Sequence, residues 1–151
     1  MSELKSKLQG DLNDAIKSRN TVVAETIRMV LAAITNEEVA GKEKKELSDA
    51  EVITVLTREA KKRREAAEAF EQGGRADKAA AERAEGEVIA GYLPEQLSES
   101  EINNLISETI ASVGASGPSD MGKVMGALKA KVAGKADGAL VSSLVKAALN
   151  K

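Results

Sequence analysis

Two groups of basic residues are the features of this chain whose types and spacing suit chemistry. The first is Arg58, Lys61, Lys62, Arg63 and Arg64. On a helix, Arg58, Lys61 and Lys62 fall on neighbouring turns and can present positive charge to a phosphate backbone. Glu59, Glu65 and Glu68 are interleaved with them, so the competing expectation is a solvated face that pairs its own charges. The second group starts in Asp120-Met-Gly-Lys-Val-Met125. There a helix N-terminus offers free N–H groups, Gly122 lets a ligand approach the backbone, and Lys123 adds a full charge. Asp120 works against an anion, because it is expected to cap the same N–H groups. Gly134-Lys-Ala-Asp-Gly138 has a superficial look of a phosphate loop, but it lacks the upstream glycine, the hydroxyl residue and the preceding strand. It reads as an inter-helix turn in which Gly134 stops one helix, Asp137 caps the next and Lys135 stays exposed. The candidates for contact with RNA are therefore Lys123, Lys129, Lys131 and Lys135, together with Arg58, Lys61 and Lys62.

Composition removes other chemistry. The chain has 151 residues, no Cys, His or Trp, one Tyr, one Phe and a net charge of −2. Thiolate nucleophiles, histidine bases, disulfides and zinc sites of the usual ligand types are excluded. Carboxylates are plentiful, but none lies in an apolar run that would tune it for acid–base work. Neither a cofactor nor a metal is expected. Tyr92 and Phe70 are too few for a base-stacking platform and read as hinge and core residues. No apolar run approaches the roughly 20 residues that cross a bilayer, and the first residues lack a basic-then-apolar leader profile. The expectation is a soluble cytoplasmic protein. An acidic balance disfavours an extensive nucleic-acid surface but leaves local patches open. From Ser98 onward lysines slightly outnumber carboxylates, so RNA, if bound, is expected to meet that part.

The elements that must position these residues are all helical. Leu4, Leu8, Leu12 and Ile16 form one stripe from about Glu3 to Ser18, and Thr21 is expected to cap a second helix carrying Val23, Ile27, Val30, Leu31 and Ile34. Ser48-Asp-Ala-Glu51 has the capping-box spacing and opens a third helix with Val52, Ile53, Leu56, Ala60, Ala67 and Phe70 on one face. Arg63 falls inside that apolar face. It is expected to pack its stem while the guanidinium either reaches the edge or pairs with a carboxylate of a neighbouring helix, the sharper alternative being a functional arginine at the open end of the bundle. Gly73-Gly74 ends this helix, and a fourth runs from Arg75 to Gly91. At Tyr92-Leu-Pro-Glu-Gln-Leu97, Pro94 breaks the helical pattern, and Ser98-Glu-Ser-Glu101 is a second capping box. Three short helices follow, separated at Gly114–Pro118 and at Gly134–Asp137, the middle one starting at Ser119 or Asp120. This is an all-α chain in two parts: a helical domain over residues 1–92 and a three-helix domain over 98–151. Residues 93–97 connect them, and Gly91 and Pro94 are hinge candidates.

Gly-Gly-Arg at 73–75, Tyr-Leu-Pro-Glu-Gln-Leu at 92–97, Asp-Met-Gly-Lys-Val-Met at 120–125 and Gly-Lys-Ala-Asp-Gly at 134–138 together resemble the YqeY family. Its members are small stand-alone bacterial proteins similar to the tail domain of the B subunit of the tRNA-dependent amidotransferase, the GatB/YqeY domain. The resemblance runs over nearly the whole chain. It implies an all-α, two-domain protein with a link to tRNA and no catalytic residues, since in the amidotransferase the chemistry belongs to other domains. The function expected is thus a non-catalytic tRNA-associated binding module, with tRNA or a protein of tRNA metabolism as partner. One alternative is a protein-interaction adaptor that grips a partner helix in an apolar groove. Another is an enzyme label shared with the amidotransferase, a carbon–nitrogen ligase with glutamine as amido-N-donor, for which the chain offers no nucleophile or nucleotide loop.

Overall fold

A computed structural model describes residues 1–150. Among these, seven α-helices and one 3-10 turn account for the regular structure, and there is no strand. The helices are α1 (Glu3–Lys17), α2 (Thr21–Val39), α3 (Asp49–Gln72), α4 (Ala76–Ala90), α5 (Glu99–Val113), α6 (Met121–Val132) and α7 (Gly138–Leu149). The chain divides into two compact units, Met1–Leu93 and Pro94 onward.

Local sequence signals set most helix ends. Both capping boxes form: Ser48 Oγ accepts from Glu51 N while Glu51 accepts from Ser48 N, and Ser98 and Glu101 repeat the exchange. Gly74, Gly114 and Gly134 sit at φ near +70°, the left-handed geometry that closes a helix and that glycine reaches without a Cβ clash. Three expectations need correction. Thr21 is the first residue of α2, and the cap is Asn20, whose Oδ1 accepts from Val23 N. The middle C-terminal helix starts at Met121, because Pro118–Asp120 is wound as a 3-10 turn. Asp120 caps none of α6; its carboxylate reaches back to accept from Ser116 N at 2.8 Å. That bond, ahead of other effects, holds the Asp120 carboxyl below its ordinary value.

The first unit buries Leu8, Ile27, Val30, Ile34, Leu47, Val52, Val55, Leu56 and Ile89 in one cluster. A buried ion pair ties three of its segments. Glu38 at the end of α2 accepts from Lys5 Nζ of α1 at 2.6 Å and from Leu47 N ahead of α3 at 3.2 Å. Only 4% of the Glu38 side chain is exposed. The Lys5 ammonium, aided by the Leu47 N–H and opposed by burial, holds the Glu38 carboxyl below the ordinary 4.5. Such a depressed carboxyl stabilises the fold fully above its unfolded value, and the contribution disappears as pH falls through the folded value. Glu51, held down first by the Ser48 N–H, and Glu71, held down by Arg83, act in the same sense. We therefore expect the melting temperature of this unit to drop steeply below about pH 4.5. Glu38→Gln should melt lower than the wild type near neutrality and lose less on acidification. Circular-dichroism melts across pH check this, and parallel curves for the two proteins would contradict it.

The second unit has its own cluster of Ile102, Ile106, Val124, Leu128, Val132, Val141, Val145 and Leu149. Residues just after Pro94 belong to it by hydrogen bonding. Gln96 Nε2 donates to Pro94 O and to Gly134 O, both at 2.8 Å, and Leu97 N donates to Lys135 O at 2.8 Å. The α6–α7 turn is thereby held at a fixed distance from the start of α5.

Candidate nucleic-acid interface

In the second unit the charges on the helices themselves separate, while Asp120 and Asp137 stand just ahead of α6 and α7. Glu99, Glu101 and Glu108 lie on α5, whereas Lys123, Lys129 and Lys131 lie on α6, Lys135 in the turn after it and Lys146 on α7. Val124, Leu128 and Val132 turn one side of α6 into the core. At roughly 100° per residue, Lys123 lies on the side opposite this seam and Lys129 and Lys131 on its two flanks. The lysines therefore ring the solvent half of α6 and do not line up in a single row. Lys123, Lys129, Lys131 and Lys135 are all exposed, and none makes an ion pair or side-chain hydrogen bond among the described residues, although Lys123 is near enough to Asp120 for its charge to help hold that carboxyl down. Lys129 and Lys131 also complement the negative end of the α6 dipole, a structural role that places no demand on Lys123 or Lys135.

The basic group of α3 is arranged differently. Arg58 Nη2 lies 3.3 Å from Glu37 of α2, Lys61 Nζ 3.9 Å from Glu65, and Lys62 Nζ 3.5 Å from Glu59. Each of these three cations already has a carboxylate, so the positive stretch in the sequence is largely neutralised in the fold. The exposed pairs Arg58–Glu37 and Lys61–Glu65 contribute little stability, and Lys62 pairs with the buried Glu59, but all must be given up before a phosphate can take their place.

Arg63 is the buried member of that group. Its side chain is only 12% exposed; Nε lies 3.1 Å from Glu85 and 3.8 Å from Glu82 of α4, and Nη1 lies 3.7 Å from Glu59. Nη2 reaches Met29 Sδ of α2 at 3.4 Å. Its Nε has no aligned hydrogen-bond acceptor, so charge attraction is what binds it to Glu85. Burial first, and then the neighbouring Glu82, pushes the Glu85 carboxyl upward despite Arg63. Gly86 of α4 faces the Arg63 Cβ. The expected pairing with a neighbouring helix is what the structure contains, and Arg63 is a three-helix tie.

Gly91 is the cap of α4, and Tyr92 N and Leu93 N donate to Ile89 O and Ala90 O, tightening the helix end. Tyr92 is half-buried; its hydroxyl donates to Asp11 at 2.5 Å and Lys7 Nζ sits 5.0 Å from its ring centroid. Burial and the Asp11 carboxylate both drive the phenol's proton affinity up, so Tyr92 is a fixed donor that staples the α4 end to α1. This link spans 81 positions, and no local pattern announces it. Two further cations passed over by the motif reading, Arg19 and Arg28, line a pocket at the α1–α2 turn.

No group of three or more acidic, Cys or His side chains able to hold a metal occurs among the described residues. Nor is any described helix long and apolar enough to cross a membrane. Comparison with known proteins identifies relatives for this arrangement. Over 133 residues the chain is 30% identical to "Altered inheritance of mitochondria protein 41, mitochondrial" of Pyrenophora tritici-repentis, a match spanning 86% of this chain and 71% of the relative. Over 96 residues it is 34% identical to an uncharacterised protein of Schizosaccharomyces pombe, spanning 63% of this chain and 76% of the relative. The family model described as "Yqey-like protein" matches residues 5–149, which include every motif singled out above, and the chain belongs to the YqeY family.

Proposed function

We propose that this protein is a non-catalytic, tRNA-associated binding module that meets the phosphate backbone with the solvent side of α6. The observation that carries this reading is the set of exposed, unpaired lysines at 123, 129, 131 and 135. Unpaired cations release counterions on meeting phosphate without first breaking an ion pair, whereas Arg58, Lys61 and Lys62 must each leave a carboxylate. The glutamates of α5 repel phosphate and fix which side of the unit RNA approaches. A ring of lysines without aromatic neighbours favours recognition of backbone shape over base sequence. The choice of tRNA over other RNA rests on the similarity to the amidotransferase tail domain. The proposal assigns no reaction to the chain, consistent with its lack of Cys and His, and neither relative's name describes an enzyme. It retains the cytoplasm as the compartment, although the Pyrenophora relative is named as mitochondrial.

Titrating total tRNA into isotopically labelled protein tests the assignment residue by residue. Amide signals of α6 and of the turn at 133–135 should shift or broaden, while those on the outer side of α5 should not. Perturbation centred on α5, or confined to α3, would overturn it.

A protein-interaction role is the second reading, and one observation favours it. Val22 and Met29, seven positions apart on α2, are 47% and 40% exposed, which leaves apolar surface on one side of that helix.

A further inference from the structure

The α1–α2 turn borders a shallow, open pocket of about 350 Å³ lined by Ala15, Ile16, Arg19, Asn20, Thr21, Ala24, Glu25 and Arg28. Its two arginines are exposed, and neither has an ion pair or side-chain hydrogen bond among the described residues. Most other arginines of this unit are engaged: Arg58 with Glu37, Arg63 with Glu85 and Glu82, Arg75 with Asp77 and Arg83 with Glu71. Two guanidinium groups thus remain unmatched around one concavity. Arg19 is also the one described non-glycine residue with positive φ, at 58°. It occupies the closing position of α1, where Asn20 N donates to Ala15 O and Arg19 N to Ile16 O, a position at which glycine is the unstrained choice. An arginine there lowers the stability of the turn, and its guanidinium does not recover the loss by an ion pair or hydrogen bond within the described residues.

We propose that this pocket binds a phosphate monoester of about mononucleotide size, with Arg19 and Arg28 holding the phosphate. The charge of a phosphate monoester near neutrality, about −1.5 to −2, matches two guanidinium groups better than a single carboxylate does. Planar guanidinium forks also meet phosphate oxygens in pairs. The remaining lining suits the rest of such a ligand. Glu25 accepts from sugar hydroxyls, Asn20 and Thr21 supply further polar groups, and the exposed Ile16 offers apolar surface to a base. The volume lies at the small end of ligand pockets, which run from about 300 to 1,000 Å³, and so excludes a folded polynucleotide from the cavity itself. This site is separate from the α6 lysines and does not depend on them.

The test is calorimetric or NMR titration of the full chain with inorganic phosphate, adenosine 5′-monophosphate and adenosine. The proposal predicts saturable binding of the monophosphate, weaker binding of phosphate and none of adenosine. Arg28→Ala should weaken monophosphate binding at least tenfold. Arg19→Gly is the more telling variant, because it should weaken binding while raising the melting temperature by about 4 °C as the left-handed strain is removed. A loss of binding in a more stable protein cannot be an unfolding artefact. Replacing Lys123, Lys129, Lys131 and Lys135 by Gln should leave monophosphate binding intact, which separates this proposal from the RNA reading. Absence of saturable binding at millimolar monophosphate, or binding unchanged in both arginine variants, overturns it. So does a result in which only tRNA binds and Arg19→Gly or Arg28→Ala weakens it, since the phosphate is then that of a polynucleotide.

Discussion

Reversing the charge at Lys123, Lys129, Lys131 and Lys135 together should reduce tRNA affinity on the order of a thousandfold, to the level of undetectable binding in ordinary salt. The size of the effect follows from counterion release. Each lysine facing phosphate contributes a roughly tenfold dependence of affinity on a tenfold change of salt, and glutamate at the same place replaces attraction with repulsion. The four positions are exposed and in no ion pair among the described residues, so their replacement breaks none of the ion pairs there. One structural consequence must be separated out. Lys129 and Lys131 occupy the last turn of α6, where negative charge opposes the helix dipole. The Lys→Gln quadruple variant avoids that penalty and should still lose most of the affinity. Filter-binding or fluorescence titration on both variants, with circular dichroism to show that helix content is kept, is the measurement. Affinity within threefold of the wild type in both would remove the α6 surface from the account. Reversing Arg58, Lys61 and Lys62 should have a much smaller effect, because those cations are matched by Glu37, Glu65 and Glu59.

The largest stability effect is expected at Arg63. Arg63→Ala should cost about 4 kcal/mol of unfolding free energy, because removing one partner of a buried ionic group leaves the other charges uncompensated. Here those charges are Glu59, Glu82 and Glu85, gathered from two helices around a side chain that is 12% exposed. The alkyl stem adds packing that alanine also loses. The loss should depend on pH with a definite sign. Burial and Glu82 already push the Glu85 carboxyl above its ordinary value, and without the guanidinium it should rise further. For a carboxyl raised in the folded state, the folded protein takes up protons first, so stability increases as pH falls toward the unfolded value near 4.5. The variant should therefore recover part of its deficit between about pH 7 and pH 5, a range above the depressed titration of Glu38. Urea denaturation at both pH values decides the matter. A deficit under about 1 kcal/mol at neutrality would place Arg63 among ordinary surface arginines.

The helices were legible because their signals are local. A capping box needs only four consecutive residues, and Ser48–Glu51 and Ser98–Glu101 behave as their spacing requires. Where two short-range options compete, sequence alone chose wrongly. Asn20 and Thr21 are both good caps, and the turn geometry set by the left-handed Arg19 gives the role to Asn20. Asp120 is a good cap by type, yet Pro118 winds the preceding residues into a 3-10 turn and the carboxylate satisfies Ser116 N instead. Arg63 was traceable through its phase on the apolar face, whereas its partners on α4 were not.

The candidate site was legible in part for the same reason. Lysines on α6 can be counted from the sequence, but their lack of partners cannot. On α3 the pairs within the helix, Lys61–Glu65 and Lys62–Glu59, follow from spacing, while Arg58–Glu37 crosses 21 positions. The buried Lys5–Glu38 link crosses 33. Nothing in the local pattern marked Glu38 as buried or Arg28 as facing the same pocket as Arg19.

If the exposed lysines of α6 meet tRNA phosphates as proposed, tRNA affinity must fall steeply as salt rises. Four contacts predict that log affinity falls with log salt at a slope of about −3 to −4. The Lys→Gln quadruple variant should bring that slope close to zero. Saturable binding with this slope, lost in the variant, is expected. No binding at low salt, or a slope that the variant leaves unchanged, would rule out contact between α6 and tRNA.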